Sequence, residues 1–203
     1  MNAPRLLLIA GLIVLAVATR VLPHPNNFVA VGAVAIFAGA CLPDRRWAVA
    51  TPLIAMFASD LFWLGFHNTV WAVYAAMAVN VLIASVLARR RTVGGIAAAT
   101  LIGAVQFWLI TNAAFWLMWT DGSAGMLVKS YVDAIPFFRT SLVADGCYVA
   151  ALFGTLAVAE LIWPALRLAP RPVADDEAGY APALADGKTA RYAVKQRPPM
   201  TQE

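Results

Sequence analysis

The chain has 203 residues, 62% of them hydrophobic and 13% charged, and a formal net charge of +4. A soluble domain usually carries about 25% charged residues, and no soluble fold of this length can hide so much apolar surface, so lipid has to cover it. The excess positive charge is not a nucleic-acid signal, because the Lys and Arg residues sit at the ends of apolar runs, where they mark membrane topology. No Gly-rich phosphate loop and no cluster of metal ligands occurs, so neither a metal nor another cofactor is expected.

The apolar runs are continuous and rich in Ala, Leu and Val. A transmembrane β-barrel would instead show segments of about ten residues alternating apolar and polar. The expected fold class is therefore all-α: a polytopic membrane protein with a bundle of six transmembrane helices and a short interfacial helix before the last span. In chain order the first span covers residues 5–22 and stops at Pro23; the second, 28–42, is short and rich in small residues. The third covers 47–64 with Pro52 inside it, and the fourth covers 70–88 and stops at Arg89-Arg90-Arg91. The fifth covers 94–119, and the sixth covers 140–163 and stops before Pro164. A spanning helix needs roughly 20 mainly apolar residues.

The loop 120–139 mixes charge (Asp121, Lys129, Asp133, Arg139) with apolar residues such as Met126, Tyr131 and Phe137. That pattern predicts a short helix at the outer interface, ended by Pro136. After Arg167 the composition turns to Pro with scattered charge, so 1–166 is expected to form the membrane domain and 167–203 a disordered cytoplasmic tail.

Orientation follows from the basic residues flanking the spans. Arg5, Arg45, Arg46, Arg89, Arg90, Arg91, Arg167 and Arg171 fall on one side, and only Arg20, Lys129 and Arg139 on the other. This places both termini in the cytoplasm of a bacterium, with the protein in the inner membrane. A competing reading takes Arg5, the apolar run and Ala16-Val17-Ala18 as a cleaved secretory signal, which would leave five spans. Cys41 and Cys147 fall near opposite faces, too far apart for a disulfide.

Ionisable groups in or beside spans are costly, so each is a functional candidate. Arg20, His24, Asp60, His67, Asp133, Arg139 and Asp145 all fall on the outer half, with Asn112 deeper in the fifth span and Trp116 among the aromatics at the outer level. An apolar, aromatic-lined pocket with a few placed polar groups is the usual form of a small-molecule site. The plainer reading is an interfacial aromatic belt, with Arg20 or Arg139 pairing Asp60 or Asp145 to hold the bundle. Enzyme chemistry finds little support: His-Glu-x-x-His and Gly-x-Ser-x-Gly are absent, and only Asp60 and Asp145 could serve as an intramembrane aspartyl pair. There is no nucleotide-binding motif either, so any energy from ATP must come from partners. Small residues at helix-packing spacing, Ala35 and Gly39 on the second helix, suit packing within the bundle or docking of a partner subunit.

Several short motifs follow one another in order. They are Arg20-Val-Leu-Pro-His-Pro-Asn-Asn-Phe28, the run from Gly32 to Ala40, Ser59-Asp60, Gly65-Phe66-His67, Thr111-Asn112, and Tyr131 through Ala134-Ile135-Pro136-Phe137-Phe138-Arg139. Over residues 5–166 the chain resembles a bacterial family of small transport proteins that is itself uncharacterised. That family is similar in turn to the substrate-binding S components of energy-coupling-factor (ECF) vitamin transporters. The resemblance implies six helices, a vitamin-like solute bound from the outer face, and docking of a transmembrane coupling subunit driven by ATPases. It departs from the pattern on the first helix, where Ala10 is followed by Val14 and then Ala18 instead of a clean small-residue stripe. The function expected is uptake of a small solute, with Arg20, His24, Asp60, His67, Asn112, Trp116, Asp133, Arg139 and Asp145 at the site. Arg139 or Arg20 would then hold a carboxylate or phosphate of the ligand bidentately. The alternative is a membrane scaffold or assembly subunit that transports nothing.

Overall fold

The computed structural model describes residues 3–163, and every regular element among them is helical. The helices are α1 (Ala3–Val21), α2 (Val31–Cys41), α3 (Arg45–Ser59), α4 (Val70–Leu87), α5 (Val93–Trp119), α6 (Ala124–Asp133) and α7 (Ile135–Ile162). A π-helical turn, Asp60–Leu64, prolongs α3, and Gly65 breaks it at φ 80°. The expected tail and its Arg167 and Arg171 lie outside the described residues.

Local chemistry sets the helix ends. The side chains of Asp44, Thr92 and Ser123 accept from the backbone N–H groups of Arg46, Gly95 and Met126, capping α3, α5 and α6. Pro136 lies in the first turn of α7, where its missing N–H costs no helical bond. It therefore opens α7 rather than closing α6, and α7 starts five residues earlier than its hydropathy suggests.

Five helices are long and apolar enough to cross a membrane: α1, α3 with its π turn, α4, α5 and α7, with mean hydropathy between 1.5 and 2.1. Their outward faces carry Leu7, Val14, Leu101, Leu117, Val143 and Leu161, all exposed. The chain has the make-up of a multi-pass membrane protein. α2, expected as the second span, has 11 residues and is about 16 Å long, roughly half the hydrocarbon thickness. It is also the most enclosed helix: Ala33, Val34, Ala35 and Ala38 are fully buried, and the Phe37 ring meets Phe153 of α7 edge-on at 5.0 Å.

The contacts fix the direction of each helix. Arg5 and Ile9 share a small cleft with Leu42, Pro43, Asp44 and Trp47, so α1 and α3 begin at one level. At their far ends the Arg20 guanidinium bonds the Asp60 carboxylate. α1 and α3 are therefore parallel, and α2 returns the chain between them, starting where the Ala30 N–H donates to Thr19 Oγ1 at 3.0 Å. α4 and α7 run with α2, and α5 runs with α1. Tyr74 of α4 reaches Asp60, Gln106 of α5 reaches the Ala76 carbonyl, and Arg91 after α4 pairs with Glu160 of α7. One end of the bundle thus gathers Arg5, Arg45, Arg46, Arg89, Arg90 and Arg91, and the other gathers Arg20, Asp60 and α6.

α6 packs along the final turns of α5, where Trp116 Nε1 donates to the Ser123 carbonyl at 3.0 Å and Tyr131 OH donates to the Leu109 carbonyl at 2.8 Å.

Candidate functional site

Two polar regions lie at the end away from the arginine cluster, and their construction differs. The first joins α1, α3 and α4. Asp60, 4% exposed, opens the π turn and accepts from Arg20 on one oxygen and from Tyr74 OH, at 2.7 Å, on the other. Both partners are engaged, so the cluster is a closed lock between three helices.

The second region is a cavity of about 540 Å³ bounded by α2, α4, α5 and α7, within the usual size of a small-molecule pocket. Phe107, Trp108, Phe115, Phe137 and Phe138 supply its aromatic wall. The Trp108 ring is fixed edge-on against Tyr131 at 5.0 Å and tilted against Phe138 at 5.4 Å. Polar lining comes from Asn27, Thr69, Asn80, Thr111, Asn112, Ser141 and Asp145. Asn27 adopts the left-handed conformation, φ 62°, in the exposed link before α2. Asn80 is 3% exposed and held from α5, its side-chain oxygen accepting from Gln106 Nε2. Gln106 Oε1 and Trp108 Nε1 are buried without a hydrogen-bond partner among the described residues. A second cavity of about 380 Å³ adjoins the first, sharing Asn112, Phe115, Ala134 and Phe137, with Lys129, Ser130 and Asp133 on its α6 side.

Asp145 is placed by α2. That helix has no side-chain cap of its own, and its first internal bond runs from the Val34 N–H to the Ala30 carbonyl. The N–H groups of Val31, Gly32 and Ala33 therefore lack helical partners. The Asp145 carboxyl comes across from α7 and lies against Gly32 in the first turn of α2. The approach requires Gly32, because a Cβ there would run into the Asp145 carboxylate.

Of the residues expected at a solute site, only Asn112 and Asp145 line the larger cavity, and Asp133 lines the smaller one. Arg20 and Asp60 bond each other. Arg139 is exposed outside both cavities and makes no ion pair among the described residues, so the larger cavity has no guanidinium for a carboxylate or phosphate. His24 is exposed in the α1–α2 link with Nδ1 2.7 Å from the Pro25 carbonyl, and His67 lies 2.9 Å from Thr69 Oγ1. Trp116 ties α5 to the start of α6. Asp133 pairs with Lys129 at 2.7 Å on the exposed side of α6. Ala35 and Gly39 face into the bundle: Ala35 is fully buried and Gly39 lies against the Val81 carbonyl and Ala84 of α4, so the stripe is taken up by internal packing and presents no docking face.

Gln106, Trp108 and Tyr74 are passed over by a reading that weighs ionisable groups first. Gln106 carried a usable signal, as a polar amide inside an apolar span. Among the described residues no group of His, Cys, Asp and Glu is arranged to hold a metal ion.

No curated protein and no solved structure matches the chain. A model of a family of unknown function, DUF6580, matches residues 1–166, and the chain belongs to that family.

Proposed function

We propose that this chain binds a small solute from the outer face of a bacterial inner membrane for uptake, in the manner of an ECF S component. The observation that supports it is the 540 Å³ cavity, lined by aromatic and polar side chains, at the end of the bundle remote from the arginine cluster. The positive-inside rule puts the arginine-rich end in the cytoplasm, which turns the cavity outward and both termini inward. In this reading the chain crosses six times. α2 makes the short second crossing wrapped in protein. α6 sits at the outer boundary, where its mixed charged and apolar surface suits the headgroup level.

Binding and transport divide between structures. The cavity selects the solute, while the energy for uptake comes from a transmembrane coupling subunit with its ATPases. Because Ala35 and Gly39 are buried inside the bundle, such a subunit would meet the lipid-facing sides of the outer helices, α1 and α7, instead.

The test is native mass spectrometry of the protein purified in mild detergent from its own host. The expected result is a co-purifying small molecule released on denaturation and lost in the cavity variant Asn112→Ala, with uptake of that compound abolished in cells carrying the variant. An empty protein holding a stoichiometric partner would overturn the reading in favour of an assembly subunit.

A further inference from the structure

Each acidic side chain that the bundle carries beside a helix face has been given a basic partner, with one exception. Asp60 has Arg20, Glu160 has Arg91 at 2.6 Å, and Asp133 has Lys129 at 2.7 Å. Asp44 and Asp121 lie in links, where Asp44 accepts from the Arg46 N–H and Asp121 from the Ser123 N–H. Asp145 makes no ion pair among the described residues, yet it lies on α7 beside the first turn of α2 and is the one ionisable residue lining the larger cavity.

A carboxylate at such a depth is costly and persists where something compensates it. The N-terminus of α2 supplies part of that compensation, a partial positive charge worth roughly half an elementary charge. The carboxyl group also lines the cavity. The cavity is also lined by Phe107, Trp108 and Phe115 of α5 and by Phe137 and Phe138 of α7, and the faces of such rings attract cations and repel anions. Acid and aromatic wall therefore select the same ligand charge.

Building on the solute-binding reading above, we infer that the ligand is an organic cation: an ammonium or protonated heterocycle that pairs with Asp145, joined to an apolar or aromatic body that fills the rest of the cavity. An anionic solute would meet the unpaired carboxylate without a counter-charge. A neutral one would leave Asp145 as it is and gain nothing from it. The hydroxyls of Thr111 and Ser141 and the Asn112 amide are available for polar groups on the ligand body.

The experiment uses the full chain in mild detergent and three probes of matched shape at neutral pH: phenethylammonium, 2-phenylethanol and 3-phenylpropanoate. Binding is read by thermal unfolding and tryptophan fluorescence. Phenethylammonium should bind about tenfold tighter than the alcohol, the equivalent of about 1.4 kcal/mol, and the carboxylate should not bind measurably. Asp145→Asn should bring the ammonium down to the level of the alcohol, and Asp133→Asn should leave the preference intact. The probe series on the unaltered protein decides the matter even where a variant folds poorly. Equal binding of all three, preference for the carboxylate, or no binding by any would overturn the cation assignment. A co-purified solute that proves neutral or anionic would overturn it too while leaving solute binding itself intact.

Discussion

Asp60 and Asp145 stand at the same end of one bundle and have opposite fates. Asp60 is enclosed by partners from two other helices, and nothing is left over for a ligand. Asp145 lies against Gly32 at the tip of α2 and lines the larger cavity, with no ion pair among the described residues. The contrast shows that an intramembrane charge is informative through what surrounds it. The same residue type forms a structural lock in one place and lines a cavity in the other.

The sharpest way to break the comparison is to remove Asp60. Asp60→Ala leaves the Arg20 guanidinium and the Tyr74 hydroxyl partly buried and unpaired, and should lower stability by about 3–5 kcal/mol, seen as a fall in the thermal midpoint in detergent. Arg20→Ala should do comparable damage, and the double variant should lose clearly less than the sum of the two. Asp145→Asn, by contrast, should leave the midpoint of the ligand-free protein nearly unchanged.

A smaller effect is expected at Gly32. Gly32→Ala puts a methyl group where the Asp145 carboxylate sits, and should cost about 1–3 kcal/mol through overpacking. Introduced into an Asp145→Ala background, the same change should cost much less, which a double-mutant cycle measures. Next comes the α4–α5 amide contact: Gln106→Leu removes the bonds to Asn80 and to the Ala76 carbonyl and should cost on the order of 1 kcal/mol. The smallest change belongs to Lys129→Ala on α6. Its ion pair with Asp133 is more than half exposed, so the midpoint should move by less than about 0.5 kcal/mol equivalent.

The long apolar elements were legible because membrane spans are written locally, as hydropathy and length. Residues 70–88 and 94–119, read as spans, match α4 and α5 to within a residue. α2 reads as a span by composition, but its length depends on where the links at Pro25 and Pro43 end, which hydropathy does not encode. The start of α7 was misjudged because a proline can close one helix or open the next, and the outcome here depends on the turn at Ala134. The candidate site was legible only as a list of costly groups. Whether Arg20 meets Asp60 or a ligand depends on how α1 and α3 rotate against each other, forty residues apart in sequence. Such rotations come from packing of small residues such as Gly39 against α4, and no local pattern states them.

The shortness of α2 bears on how the protein is made. α2 leaves the ribosome early, while much of its cover, α4, α5 and the Phe153 face of α7, is synthesised later. A half-length helix has no stable place in lipid by itself, so the nascent chain holds an unfinished segment until the last helix arrives. A chain cut short within α7 would expose that segment and present quality-control proteases with a target, even though most of its apolar helices are already inserted.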